Sequence, residues 1–481
     1  MILLISLLLV LLAVILFRQT VVSRNARIAM ALGVFVTLLF LSGYYILNEL
    51  TGSGIDEAVL YHLNVGVEGA GFGEFADLIV VFGIMICAAV LTAIFCFHYS
   101  RTETVTPVAR ARFGLATIAL LISNYLNPGA HDVAYLLAAE PPQSTATKVG
   151  IPDRIVTVEQ LRFEGDKKNL VLLYLESIEQ TYFDQTLFPD LMPGLTALQD
   201  QALRFVDITQ TYGTSWTIAG MVASQCGIPL VGSGGDGADQ FLPDATCLGD
   251  LLQDAGYNLD YIGGAPSAFA GKGTFYTSHG FRSVDGYLDL RARSAVPEYR
   301  HYWGMYDDTV FSEVTARFES YTQEYEPFGL VALTLDSHDR TGRTISDSCE
   351  GYVYQDGRNA SLNSVHCTDK LATEFIQRFL DSQAFEDTVL IVMSDHFARP
   401  NLASDTLETA QRRNLLWAFG ADIPAAVVST PGTTIDAAPT VLRMLGGEIS
   451  ALGYGRDLQA QSSLLRQADV DPEALFREDS N

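Results

Sequence analysis

The 481-residue chain is short of positive charge: 30 Lys and Arg stand against 56 Asp and Glu, a net of −26 and a pI near 4.5. Phosphate backbones are gripped by basic surfaces, so this balance argues against a nucleic-acid partner. Lysine is missing altogether from residues 1–128, where six arginines face seven acids, and the remainder carries a net of −25. No basic residue precedes Arg18, and no small-residue cleavage site follows the first apolar run, which argues against a cleaved secretory leader. The chain has no Cys-x-x-Cys pair, tandem repeat or long low-complexity tract. Its composition excludes disorder, collagen and coiled coil. A mean hydropathy of +0.20 with 18% charged residues is high for a wholly soluble protein. An oily, nearly neutral first part joined to an acidic, water-facing body accounts for both numbers, and the length calls for at least two units.

Three apolar runs make up most of the oily part: Ile2–Phe17, Ile28–Leu47 and Leu78–Phe97. A helix rises about 1.5 Å per residue, so ~20 apolar residues cross a ~30 Å hydrocarbon core. The second and third runs meet that length and the first is slightly short. A fourth, from Phe113 to about Leu137, is interrupted by Asn124 and Asn127-Pro128. The pattern predicts an α-helical membrane domain of about four spans over residues 1–140. Arg18, Arg24 and Arg27 lie between runs one and two; Arg101, Arg110 and Arg112 lie between runs three and four. The loop between runs two and three holds Glu49, Asp56, Glu57, Glu68, Glu74 and Asp77, with no Lys or Arg. The positive-inside rule then puts both arginine loops in the cytoplasm and everything after the fourth run on the far side, the periplasm of a bacterium.

A Pro/Ser/Thr-rich linker (141–165) precedes a globular region (166–465) and an acidic tail (466–481). Strands are predicted at Leu170–Leu175, Leu259–Ile262, Leu330–Leu335, Val389–Met393 and Leu415–Phe419, with amphipathic helices between them. That alternation indicates an α/β fold with a mainly parallel sheet, whose chemistry sits beyond the carboxyl ends of its strands. Cys226, Cys247, Cys349 and Cys367 all fall in this exported part. Nearness in sequence favours Cys226–Cys247 and Cys349–Cys367 among the three possible pairings.

Three predicted strand ends carry chemistry: Glu176-Ser177, Asp336-Ser337-His338 and Asp395-His396. Oxygen and imidazole donors of this kind suit Mn²⁺ or Zn²⁺, with Mg²⁺ a weaker candidate. The bland alternative is a helix N-cap beside a hydrogen-bonded histidine. The turn Thr211–Trp216 opens directly into a predicted helix at Thr217, where backbone N–H groups favour a phosphate and a hydroxyl can be activated as a nucleophile. Thr211 and Thr214 compete with Thr217 for that role, and an ordinary N-cap is the plainer reading.

The segments Asn169–Val171 with Glu176-Ser177, Thr217–Leu230, Phe269–Lys272, Ser278–Phe281, Trp303-Gly304 and Ser394–His396 together resemble the alkaline-phosphatase/sulfatase superfamily. The resemblance is to its membrane-anchored head-group transferase branch, and within that to the phosphoglycerol transferases that decorate periplasmic glucans. The loop Gly52–Gly71 also resembles that family's loop between its second and third spans. The resemblance implies Glu176, Thr217, Asp395 and His396 as metal ligands, Mn²⁺ foremost, with Thr217 also the nucleophile. His338 matches the histidine that contacts the transferred phosphate or assists the leaving group, and Lys272 a basic phosphate contact. Trp303 is a candidate glycerol or sugar platform, with a core position as the alternative; His279 and His366 are read as structural or surface residues. The implied reaction moves phosphoglycerol from phosphatidylglycerol to a periplasmic glucan through a phospho-threonine, releasing diacylglycerol. The competing readings are a phosphoethanolamine transferase, a lipid-head-group hydrolase and a non-catalytic membrane-tethered sensor.

Overall fold

The computed structural model describes residues 1–18, 23–99, 107–136, 154–230, 240–323, 327–342 and 344–466. Arg101, residues 141–153 of the expected linker and residues 467–481 of the expected tail lie outside them. The chain forms two compact units, one of residues 1–59 and 72–141 and the other of residues 60–71 and 142–481.

The first unit is helical: α1 (Ile2–Phe17), α2 (Arg24–Thr51), α4 (Ala76–Tyr99), α5 (Pro107–Tyr125) and α6 (Pro128–Leu136), with α3 (Glu57–Val65) starting in it. Among the described residues two helices, α2 and α4, are long and apolar enough to cross a membrane. The fourth apolar run folds as two helices, because Pro128 lacks the N–H that a continuous helix would need there. The polar groups in these apolar helices satisfy one another. Ser6 and Ser123 each donate to the other's carbonyl at 2.8 Å, and Asn124 and Asn127 donate to Thr37 Oγ1 and its carbonyl at 2.7 and 3.1 Å. Apolar surroundings offer such groups no other partner.

The second unit is built on an eight-stranded sheet. Its strands are β1 (Asn169–Tyr174), β2 (Leu203–Phe205), β4 (Asn258–Gly263), β5 (Ser283–Asp285), β6 (Phe328–Leu333), β7 (Thr388–Met393), β8 (Leu416–Phe419) and β9 (Ala426–Val428), in the order β5-β4-β6-β1-β7-β8-β2-β9. A short pair, β3 (Ile208–Thr209) and β10 (Gly432–Thr433), lies beside it. The five strands from β5 to β7 are parallel, and β8 runs antiparallel to both neighbours. β6 and β7 are buried along their whole length and β1 at all but its first residue, which is why they read as unbroken apolar runs. Val171, Leu173, Leu330 and Val392 on one face join Phe311, Phe318 and Phe375 from the helices Asp307–Tyr321 and Ala360–Leu380. On the other face, Tyr174 meets the helix Thr217–Cys226 through a 2.6 Å hydrogen bond to Ser224. Each large side chain buried this way stabilises the fold by roughly 1.5–3 kcal/mol.

Both expected disulfides, Cys226–Cys247 and Cys349–Cys367, are formed. Residues 154–165 are not a loose tether: Val156 bridges Gly453 and Phe163 bridges Gly447.

Candidate active site

Register brings the site together. Tyr174, the last residue of β1, stands opposite Leu333 of β6 and Met393 of β7. The residues that follow all three strands therefore emerge at one sheet edge: Glu176 after β1, Asp336 and His338 after β6, Asp395 and His396 after β7. Helix Thr217–Cys226 delivers its first residue to the same point. Thr217 Oγ1 lies 3.4 Å from Glu176 Oε2 and 3.5 Å from His396 Nε2, and His396 Nε2 lies 3.3 Å from Glu176 Oε1 and 3.2 Å from Asp395 Oδ2. Four residues spread over 220 positions thus meet at one point of the sheet edge. Thr211 and Thr214 do not take part. Thr214 Oγ1 donates to the Thr211 carbonyl at 2.7 Å and accepts from the Thr211 N–H at 3.0 Å, so it builds the turn.

The donor set fits a divalent cation. One ligand atom each from Glu176, Asp395 and His396 falls within 4.8 Å of the others. His396 Nδ1 is bonded at 2.7 Å to the Phe397 carbonyl. It acts there as donor, which leaves Nε2 with a lone pair facing the cluster, the arrangement of a metal-ligating imidazole. Asp395 Oδ1 accepts from the Ser177 N–H at 3.0 Å, while Oδ2 is buried with no hydrogen bond among the described residues. A fully buried carboxylate oxygen left in this state is costly unless a cation completes it.

The electrostatics point the same way. Burial, then the Glu176 charge, push Asp395 up to about 7. Burial would lower His396, but Asp395 and Glu176 outweigh it and raise the imidazole to about 9. Burial would likewise raise Glu176, yet the charge and hydrogen bond of His396 hold it below the usual carboxylate range. The cluster thus recruits a proton where it would otherwise hold a positive ion.

Surrounding residues lock these groups in place. Thr334 Oγ1 accepts from the Glu176 N–H at 2.8 Å, and Ser337 Oγ donates to the Glu176 carbonyl at 2.5 Å. Ser177 adopts a left-handed φ of 59°, an uncommon conformation for a residue with a side chain, and its Oγ donates to Glu176 Oε1 at 3.0 Å. Lys272 is buried, with its Nζ 4.7 Å from the Phe269 ring and 3.1 Å from the Phe269 carbonyl. Burial lowers it to about 8 against the pull of Glu176 and Asp395. Trp303 is buried edge-to-face against His338, ring centres 4.5 Å apart. Burial, with Arg399, His396 and Lys272 nearby, lowers His338 to about 4 against the opposing pull of Glu176.

His279 and His366 are structural. His279 Nδ1 pairs with Asp250 at 2.8 Å, and the cysteine beside it, Cys247, is in a disulfide and offers no thiolate. His366 bonds the Leu191 carbonyl at 2.6 Å and stacks on Tyr352. Sequence reasoning gave no role to three contributors: Ser177, Arg399 and His62. Ser177 lies within the strand end Glu176-Ser177, Arg399 follows the segment Ser394–His396 by three residues, and His62 lies in the loop Gly52–Gly71 noted for its resemblance.

Comparison with known proteins agrees with the fold. The profile described as Sulfatase matches residues 168–447, and that described as Phosphoglycerol transferase I, N-terminal domain, matches residues 1–147. Phosphoglycerol transferase I of Xanthomonas campestris pv. campestris is 37% identical over 434 residues, 89% of this chain. The chain spans 61% of that relative's length. An alkaline phosphatase superfamily protein from Vibrio parahaemolyticus shares the fold with a TM-score of 0.51 at 24% identity, over 62% of this chain and 71% of its own. The integral membrane lipooligosaccharide phosphoethanolamine transferase A from Neisseria meningitidis does so with a TM-score of 0.55 at 13% identity, over 87% of this chain and 84% of its own. A mainly parallel sheet bearing an acid–imidazole cluster at one edge, under a profile that spans more than half the sequence, identifies the chain as a member of the sulfatase family.

Proposed function

We propose that the chain transfers phosphoglycerol from phosphatidylglycerol to a periplasmic glucan through a covalent intermediate on Thr217. The observation that carries this reading is the meeting of Thr217 Oγ1 with Glu176 and His396 at 3.4 and 3.5 Å. The likeness to phosphoglycerol transferase I over 89% of the chain supports the choice of donor and acceptor.

Glu176, Asp395, His396 and Thr217 would hold a divalent cation, Mn²⁺ foremost, whose chemistry is to lower the pKa of the threonine hydroxyl and offset phosphate charge. Thr217 Oγ1, its hydroxyl proton already given up to solvent, attacks phosphorus as the alkoxide. The Oγ1–P bond forms as the bond to the diacylglycerol oxygen breaks, and a protonated His338 gives that oxygen its proton. A glucan hydroxyl then attacks the same phosphorus, its proton returns to His338, and Thr217 Oγ1 leaves as the alkoxide. The anionic phosphodiester raises the proton affinity of His338 when it docks. Lys272 steadies the phosphate as a point charge. Positioning and charge stabilisation supply most of the rate in such transfers.

We read residues 1–140 as an inner-membrane anchor of about four spans and residues 166–465 as the periplasmic catalytic part, with residues 466–481 an acidic tail. Residues 60–71, between α2 and α4, fold with the catalytic unit. That supports the orientation, since a segment on the side opposite the arginine loops must share its compartment with the site. Radiolabelled phosphatidylglycerol, Mn²⁺ and glucan provide the test. Label on the glucan with release of diacylglycerol is expected. Transfer only from phosphatidylethanolamine, transfer to water alone, or no turnover would contradict the reading.

A further inference from the structure

An aromatic rim starts beside the nucleophile and ends at the proton carrier. Trp216 adjoins Thr217 and packs on Tyr61, 5.9 Å between ring centres, and the Tyr61 hydroxyl donates to the buried Ala270 carbonyl at 2.8 Å. His62, the next residue, packs on Phe269 at 5.5 Å; Phe269 meets Trp303 at 5.3 Å, and Trp303 meets His338 at 4.5 Å. Lys272 Nζ sits over the same Phe269 ring at 4.7 Å. Tyr61 and His62 come from the segment between the two long apolar helices, yet belong to the catalytic unit.

His62 is the imidazole of this rim that the reaction above leaves unused. Its Nδ1 is buried with no hydrogen-bond partner among the described residues. Burial, with the charges of Arg399 and Lys272 in reach, lowers it to about 4, so the ring is neutral at physiological pH. A neutral imidazole carries one donor and one acceptor, which match a hydroxyl. Lys272 and Arg399 attract the phosphate of a docked head group but oppose an ammonium attached to it.

We propose that His62 reads the head group: its imidazole hydrogen-bonds a hydroxyl of the phosphoglycerol held at Thr217, so that the site favours a diol over an ammonium head group. This rests on the transferase reading above and adds to it a specificity-determining residue.

The test compares kcat/KM for phosphatidylglycerol with that for phosphatidylpropanol, which lacks both hydroxyls, using the full chain in detergent micelles with Mn²⁺. The ratio of two donors on one preparation cancels any inactive fraction, so a poorly folding variant still reports. His62→Phe, which keeps the ring packing on Phe269, is expected to shrink the preference about 10-fold, the value of one good hydrogen bond. His62→Asn, which keeps a donor and an acceptor, is expected to hold it within about 3-fold. An unchanged ratio in His62→Phe overturns the role of His62 while leaving the transferase reading intact. A wild-type chain that transfers nothing from phosphatidylglycerol overturns that reading, and this one with it.

Discussion

A Cβ on Gly220 would stand 2.0 Å from the carbonyl oxygen of Asp395. The helix that presents Thr217 is thus pressed directly against the loop that presents Asp395 and His396, and the missing side chain is what permits the approach. Gly220→Ala must push the two apart. Overpacking of this kind costs about 1–3 kcal/mol, and a displacement near 1 Å at a reacting group costs about 100-fold in rate. The expected outcome is a kcat lowered about 100-fold with a modest fall in thermal midpoint. Wild-type turnover would contradict the close packing.

Removing a ligand should weaken the cation without emptying the fold. Asp395→Asn takes away the carboxylate whose Oδ2 is left without a hydrogen bond. A loss of about 100-fold or more in metal affinity is expected, because even supporting groups of such sites are worth 10–100-fold. Bound ion per chain after dialysis checks it. Chelation should lower the thermal midpoint of the wild type and leave that of the variant nearly unmoved.

Glu179 is fully buried, and the Arg412 Nε lies 3.0 and 2.9 Å from its two oxygens. The pair anchors the loop after His396, since Glu179 Oε2 also accepts from the Ala398 N–H at 3.1 Å. Arg412→Met leaves that carboxylate buried and unpaired, at an expected cost of about 3–5 kcal/mol. Denaturant unfolding measures it. A loss below about 1 kcal/mol would mean that the pair is screened by water.

One buried carboxylate gives a pH signature away from the site. Burial raises Asp369 to about 6, although the N–H groups of Gly194 and Leu195 donate to it and pull the other way. A carboxyl raised above its unfolded value binds its proton more tightly in the native state, so stability is greatest below the unfolded pKa and falls as pH rises to about 6. The loss approaches about 3 kcal/mol at most. Relative to Asp369→Asn, the wild type should therefore gain stability on acidification from pH 6.5 to 4.5. Parallel stability curves for the two proteins would exclude this.

Much of this was legible in the residues. β1, β6 and β7 are apolar beyond their first residues because both faces are covered, and an acid or imidazole after each marks a strand end at the reactive edge. The turn before Thr217 marked a candidate nucleophile with Thr211 and Thr214 as competitors, and the resemblance is what picked out Thr217. Short strands such as β2 and β5 escaped because three residues carry no usable period. The helix Ala360–Leu380 is more legible from its apolar second half than from its start. Its first turns, Ser361 to His366, read as polar, and their polar groups are satisfied by internal partners rather than by solvent. His62 escaped for a different reason: it is about 280 residues from His338 in sequence, and only folding brings their rims together. The fourth apolar run was one span by composition and two helices in space, divided at Pro128.

The central claim is that Thr217 becomes covalently modified. Brief incubation with phosphatidylglycerol and Mn²⁺, acid quench and mass spectrometry of the peptide containing Thr217 test it most directly. The account predicts a glycerophosphoryl adduct on Thr217 that disappears when glucan is added and never forms in Thr217→Ala. Undiminished transfer by Thr217→Ala, or an adduct on another residue, would contradict it.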